Sequence, residues 1–139
     1  MLFQKRHTHA KEPTYAHDGD RGLDLYSCEN AVIMPYKWRK IDTGIAIAIP
    51  EGFVGLVTSK SGLALNHGLT VFNSPGVIDD YRGSVGVILF NHNSYDSIIV
   101  KGQKIAQLVI VPYFKVDLQQ VKVLPESSRG ENGFGSTGV

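Results

Sequence analysis

Ile45 to Thr58 reads IAIAIPEGFVGLVT. Isoleucine alternates with alanine from Ile45 to Ile49, a period of two, which is the spacing of a strand. Pro50-Glu51-Gly52 interrupts the run as a turn, and Phe53 to Thr58 resumes a strand. Working outward, similar runs recur on both sides. Gly22 to Ser27 (GLDLYS) alternates apolar and polar residues, and Ala31 to Met34 is a short apolar run stopped by Pro35. Downstream, Leu69 to Phe72, Val85 to Asn91, Ser97 to Val100, Lys104 to Val111 and Val116 to Leu124 complete the predicted strands. Short strands separated by turns at this spacing predict an all-β sandwich or jelly roll.

One segment departs from the pattern. Ser61 to His67 (SGLALNH) holds helix formers, with Ser61 expected as N-cap and Gly68 just past the C-terminus. A short helix here turns free N–H groups and the positive end of its dipole toward an anion, as every capped helix does.

The chain has 139 residues, 42% of them hydrophobic, which is one domain with a real core. A net charge of +1 gives no strong field toward nucleic acid or an anionic membrane. The longest apolar stretches, Ile45 to Pro50 and Ile105 to Pro112, fall far short of the about 20 residues that span a bilayer. The start, MLFQKRHTHAK, lacks the apolar region of a signal peptide. Cys28 stands alone, so no internal disulfide forms and a cytosolic compartment fits. His7 and His9 make an H-x-H pair in a polar stretch, and with no further His or Cys cluster they read as surface residues.

Five polar groups interrupt the strands. In Gly22-Leu23-Asp24-Leu25, an aspartate between leucines either pairs with a cation or serves the coordination shell of a metal. In Ser59-Lys60-Ser61-Gly62-Leu63-Ala64, the lysine, the Ser61 hydroxyl and the following N–H groups suit a phosphate. Asn73 to Gly83 (NSPGVIDDYRG) predicts a narrow hairpin with a turn at Pro75-Gly76 and a second reversal near Asp80. Such a hairpin offers backbone groups to a flat base edge, with Asp79 near its end, Tyr81 as an aromatic wall and Arg82 as a charge partner. In Gly102 to Leu108 (GQKIAQL), Gln107 interrupts an apolar strand, and a buried amide needs a polar partner or a ligand. The last group is the end of the chain, Arg129 to Val139 (RGENGFGSTGV), which supplies one guanidinium fork, backbone N–H groups free of Cβ, two hydroxyls and one ring. A segment this rich in glycine is expected to be mobile when free and to close over an anionic ligand.

In this order the five groups resemble the five motifs of the homotrimeric dUTPases (deoxyuridine triphosphate nucleotidohydrolases), over Gly22 to Val139. G-x-D-L is the least specific of them. N-x-P-G-x-I-D followed by Y-R-G, and the closing G-F-G-S-T-G, are the most specific. The resemblance implies a distorted jelly roll of the β-clip type with one short helix, assembled as a homotrimer with its active sites between subunits. Residues 1–128 form the domain, and 129–139 an arm that closes over a neighbouring site. It implies magnesium-assisted hydrolysis of dUTP to dUMP and pyrophosphate in the cytoplasm, or the host cytoplasm if the source is viral.

Residue by residue, Asp79 matches the aspartate that orients and deprotonates the attacking water. Asn73 and the backbone of Gly76, Val77 and Ile78 match the uracil reader, and Tyr81 the ring that leaves no room for a 2′-hydroxyl. Asp24 matches the residue that holds magnesium-bound water. Ser61, Gly62 and Gln107, with Lys60 beside them, match the phosphate contacts, and Gln107 counts with Asp79 in the catalytic set. Arg129, Gly135, Ser136 and Thr137 match the γ-phosphate clamp, and Phe134 the ring that covers uracil. Three departures stand out: Lys60 replaces the usual arginine, Ser59 the usual proline, and Asp80 alone separates Asp79 from Tyr81 where the family usually has two residues. A dCTP deaminase of the same fold needs a protonatable glutamate beside the base, and Gly83 to Asn91 has none. A dUTP-gated regulatory binding protein is the non-enzymatic alternative.

Overall fold

The computed structural model of the chain describes residues 1–133. In chain order the elements are β1 (Leu2–Lys5), β2 (Gly22–Tyr26), β3 (Ala31–Ile33), β4 (Trp38–Ala48), β5 (Phe53–Thr58), α1 (Ser61–His67), β6 (Leu69–Val71), β7 (Gly76–Ile78), β8 (Ser84–Asn91), β9 (Ser97–Ile99) and β10 (Lys104–Pro112). A first sheet has the order β1-β4-β8-β6, a second β2-β10-β5-β7, and β3 pairs with β9. All the pairings are antiparallel. This is the jelly-roll sandwich that the alternation predicts.

Alternation fixes which faces meet. Ile41, Val87 and Leu89 from the first sheet, and Leu23, Leu25, Val57 and Leu108 from the second, belong to one buried cluster, closed at one end by Ile33 and Ile99. Each such side chain contributes roughly 1.5–3 kcal/mol by leaving water. The isoleucines of the Ile45–Ile49 run are all buried, and β4 kinks just before them. Its register with β8 slips between Asp42 and Ala46, where Gly44 adopts φ 66. A Cβ at Gly44 would lie 2.7 Å from the His7 Cβ, so both conformation and space require glycine there.

Three expectations need correction. Val116 to Leu124 forms no strand: residues 113–132 are exposed, and no partner strand lies beside them among the described residues. Period-two alternation supplies a face, but a strand also needs a ladder neighbour for its N–H and C=O groups. Conversely, the polar-looking start contains β1, held by β4 through Leu2↔Ala48 to Lys5↔Ile45. Finally, Lys60 and not Ser61 is the N-cap of α1, with no side-chain cap bond; Ser61 is already helical. Gly68 closes the helix as expected, in the left-handed region at φ 58. No helix among the described residues is long and apolar enough to cross a membrane.

Candidate active site

β7 runs along the edge of the second sheet beside β5, with Val57↔Gly76, Leu56↔Val77 and Gly55↔Ile78 in register. The chain then crosses through Asp79–Gly83 into β8 of the first sheet, so the predicted narrow hairpin is instead an open bend between two sheets: β7 pairs with β5, and β8 with β4 and β6. A cavity of ≈ 240 Å³ opens between the two strands, lined by Asn73, Gly76, Val77, Ile78, Tyr81 and residues of β8. The Asn73 amide lies close against Gly76, at 3.4 Å from where a Cβ would stand. The Tyr81 ring folds back over Gly83, where a Cβ would fall 2.1 Å from the phenolic oxygen. The Tyr81 hydroxyl donates to the Ser84 carbonyl at 3.3 Å. Thus the predicted reader residues and the aromatic wall share one cavity.

Asp79 does not line that cavity. It is exposed, accepts the Asp80 N–H at 2.7 Å, and faces an adjoining cavity with Glu51, Asp80, Arg82 and Tyr113. Arg82 pairs with Asp80 at 3.1 Å and donates to the Asp79 carbonyl, so its charge goes to the second aspartate of the bend.

The other polar groups gather on the second sheet. Gln107 stands between Asp24 on β2 and Thr58 on β5, one in-register row and hence one face. The Gln107 amide packs on Gly22, where a Cβ would come 3.3 Å from its Cδ. Asp24 is only 1% exposed, and both of its oxygens meet cations: Lys60 Nζ lies 2.5 Å from Oδ1, and Lys104 Nζ 2.7 Å from Oδ2. Of the two sequence alternatives for Asp24, pairing with a cation is realised. The Lys104 contact is poorly directed and leaves Oδ2 without a formal hydrogen bond. Burial pushes the Asp24 carboxyl up, but the ammonium groups of Lys104 and Lys60 outweigh it and hold the carboxyl below its ordinary range. Reciprocally, Asp24 raises the Lys104 ammonium.

Lys104 escaped the sequence reading for a geometric reason. Under strict alternation, residues three apart face opposite ways, so Lys104 should oppose Gln107. The ladder with β2 slips between Lys104 and Ala106: Lys104 faces Tyr26 while Gln107 faces Asp24. This bulge brings both side chains to the same face and sends Ile105, 1% exposed, into the core.

Ser61 and Gly62 lie exposed at the start of α1, ahead of the first helical amide bond, Ala64 N–H to Lys60 C=O. Ser59 has a local use: its hydroxyl accepts the Val71 N–H at 2.8 Å, tying the approach to α1 to β6. Arg129 is exposed, and its Nε donates to the Asn132 carbonyl at 2.6 Å. Phe134, Gly135, Ser136 and Thr137 lie outside the described residues.

No cluster of three or more His, Cys, Asp or Glu among the described residues is placed to hold a metal. A magnesium ion carried by a triphosphate needs less from the protein, since it keeps several waters and takes ligands from the phosphates. The Asp24 Oδ2 has acceptor capacity to spare for one such water, but Lys104 lies 2.7 Å from it in this structure.

The dUTPase family model matches residues 8–138. A Clostridium tetani protein named deoxyuridine 5'-triphosphate nucleotidohydrolase is 52% identical over 93% of this chain and 90% of its own. The G164S mutant of Staphylococcus bacteriophage 80alpha dUTPase, solved with dUpNHpp, superposes with a TM-score of 0.92 at 33% identity, covering 99% of this chain and 98% of that one. Phage 80alpha dUTPase is described in structural work on phage dUTPases that control transfer of virulence genes. The dUTPase of S. aureus phage phi11, described with a structural Mg(II) ion, superposes with a TM-score of 0.83 at 30% identity over 90% of this chain and 98% of that one. By the family model and full-length relatives, the chain belongs to the dUTPase family, a family of hydrolases.

Proposed function

We propose that this chain hydrolyses dUTP to dUMP and pyrophosphate, and that the cavity between β7 and β8 reads the nucleoside. The observation that carries the proposal is the convergence of the Asn73 amide, the backbone of Gly76–Ile78 and the Tyr81 ring on one cavity. Backbone and amide groups pair with the polar edge of uracil, and a ring fixed over Gly83 stands where it excludes a 2′-hydroxyl. Water attacks the α-phosphorus in line with departing pyrophosphate, and Asp79 orients that water and accepts its proton. An aspartate is ionised at neutral pH but only weakly basic, so its contribution is largely positional. Gln107, Ser61 and Gly62 hold the phosphates, and Lys60 beside them lends its charge while paired with Asp24. Asp24 anchors a water of the nucleotide's magnesium ion, and that ion when bound neutralises charge on the leaving group. Arg129 and the segment to Thr137, with Phe134 over the base, close the site and exclude bulk water.

One chain does not bring these parts together. Gly76 and Asp24 lie on opposite edge strands of the second sheet, three strand spacings or about 14 Å apart. The cavity that Asp79 lines includes none of the Asp24 row. The outer face beside that row carries Leu56, Val109 and Val77, the last 65% exposed. Phe114, Val116, Leu118, Val123 and Leu124 are each more than two-thirds exposed. Apolar surface on that scale calls for a partner surface, and we read it as contact between copies in a homotrimer with shared sites. A soluble cytoplasmic enzyme fits the single, buried Cys28.

Pyrophosphate release from each of dUTP, dTTP, dCTP and UTP tests the activity. Turnover of dUTP far above the other three is expected, whereas ammonia release from dCTP would turn the assignment toward a deaminase. A second, regulatory reading is favoured by the phage relatives: dUTP closes the arm and changes what the surface binds. Retention of a partner with, but not without, a non-hydrolysable dUTP analogue supports it, and equal retention argues against it.

A further inference from the structure

We propose that Lys104 is a nucleotide-binding residue: an arriving triphosphate draws its ammonium off Asp24 and takes up the charge that Asp24 shares in the free chain. This deepens the dUTP reading and rests on it. Asp24 carries one negative charge, and two ammonium groups lie within 2.7 Å of it. Lys60 alone neutralises it, so Lys104 leaves one positive charge in excess. Asp20 also acts on Lys104, but more weakly than Asp24 does. A surplus ammonium shared with a buried carboxylate suits a site that must receive a polyanion.

Geometry separates the two lysines. The Lys60 side chain is 21% exposed and makes a directed bond to Oδ1; the Lys104 side chain is 42% exposed and makes none to Oδ2. Lys104, the more exposed of the two and the one without a directed bond, is therefore the partner placed to turn outward when a competing anion arrives. Its departure opens the Asp24 Oδ2, the acceptor suited to a metal-bound water, while Lys60 keeps the carboxylate ionised. The bulge at Ile105 would be an expensive way merely to neutralise a carboxylate that Lys60 already pairs. It places Lys104 on the Gln107 face, where phosphate is expected, and bulges recur beside active sites.

The test compares a non-hydrolysable imido analogue of dUTP with dUMP by calorimetry, on the full chain and its Lys104→Gln and Lys104→Arg variants. Lys104→Gln should weaken the analogue about tenfold or more, the scale of one lost charge-assisted bond. It should leave dUMP within about twofold, and Lys104→Arg should restore most of the loss. Equal losses for both ligands, or an unchanged analogue affinity, overturn the proposal and reduce Lys104 to a counter-ion of Asp24. Should Lys104→Gln not fold, the 15N shift of the wild-type Lys104 ammonium, assigned with Lys104→Arg, decides. It should move with the analogue and stay with dUMP, and a signal that ignores the analogue overturns the proposal. A wild-type chain that binds dUMP and analogue equally fails the proposal alone, whereas one that binds neither fails the nucleotide reading as well.

Discussion

The bend from Asn73 to Gly83 is shaped by backbone, whereas the row of Asp24, Gln107 and Lys104 across the second sheet is shaped by charge and one irregular residue. In the bend, glycine at 83 makes room for the Tyr81 ring, and β5 pairs residue for residue with β7. Its polar side chains face solvent, and the Arg82–Asp80 pair lies at the surface. In the row, a carboxylate 1% exposed survives because two lysines reach it, and one reaches it through a bulge. A reader of flat base edges gains from a fixed backbone. A receiver of a polyanion gains from charges that can change partners. The first should therefore respond to substitution through chemistry and selectivity, and the second through affinity and pH.

The largest effect expected is on the bend. Asp79→Asn should keep fold and dUTP binding and lose roughly 10²–10⁴-fold in turnover, because the amide cannot accept the water proton. Single-turnover hydrolysis with a parallel binding titration measures both. Near-normal turnover in Asp79→Asn together with an inactive Asp80→Asn would assign the proton to the second aspartate, the one that pairs with Arg82.

Deleting Gly130 to Val139 should come next. Arg129 to Asn132 make only local bonds, and 130–132 are exposed, so thermal stability should change little. Turnover should fall by about tenfold or more as the site loses its cover. Co-expression with Asp79→Asn should return activity, since a mixed assembly can set an intact arm over an intact bend. Mixed assemblies that form and stay inactive would mean that the arm serves its own chain.

Gly83→Ala tests the backbone shaping of the bend by itself. The new methyl meets the far end of the Tyr81 ring, which can swing aside, so the stability loss should stay near 1 kcal/mol or below. The displaced ring should no longer bar a 2′-hydroxyl, and the ratio of kcat/KM for dUTP over UTP should drop about tenfold, as in Tyr81→Ala. A preserved ratio in both variants would move sugar selection away from Tyr81.

Legibility in the sequence divides by reach along the chain. The alternation at Ile45–Ile49 and the Gly68 stop are local and appear as residue types at fixed spacing, whereas the Asn73–Gly83 segment bends between sheets instead of forming a hairpin, because the ladder partners of β7 and β8 lie far away in sequence. Lys104 was hidden because a bulge changes the face of every residue before it, and nothing in K-I-A-Q announces the extra residue. The Val116–Leu124 strand was over-read for the converse reason: alternation is local, but a ladder partner is not. Asp24 left two alternatives open, since a leucine-flanked carboxylate demands a partner without naming it. The likeness to a family named the Asn73–Gly83 segment and the row together, but the face toward which Asp79 turns came only from the structure.

Acid stability offers the smallest and most discriminating contrast. Burial alone would raise the carboxyl of Asp42, but the Ser84 hydroxyl at 2.5 Å and the Gly44 N–H at 2.9 Å hold it low. Asp24 is held low by Lys104 and Lys60 against the same burial. For a carboxyl lowered by folding, the unfolded chain binds its proton first. The stabilisation is therefore complete above the unfolded value of about 3.9 and is lost as pH falls through the lower folded value. Both Asp24→Asn and Asp42→Asn should flatten the acid limb of Tm against pH by on the order of a few degrees. Salt should separate them. The main partners of Asp42 are neutral groups within the β4–β8 kink, with smaller help from the charges of Lys40 and His7, so its limb should respond only weakly to ionic strength. Lys104 is open to solvent, so the wild-type limb assigned to Asp24 should soften in about 1 M salt, where the screening length is about 3 Å. An Asp24 limb that ignores salt would mean that both lysines are locked in place, and the row would then be as rigid as the bend.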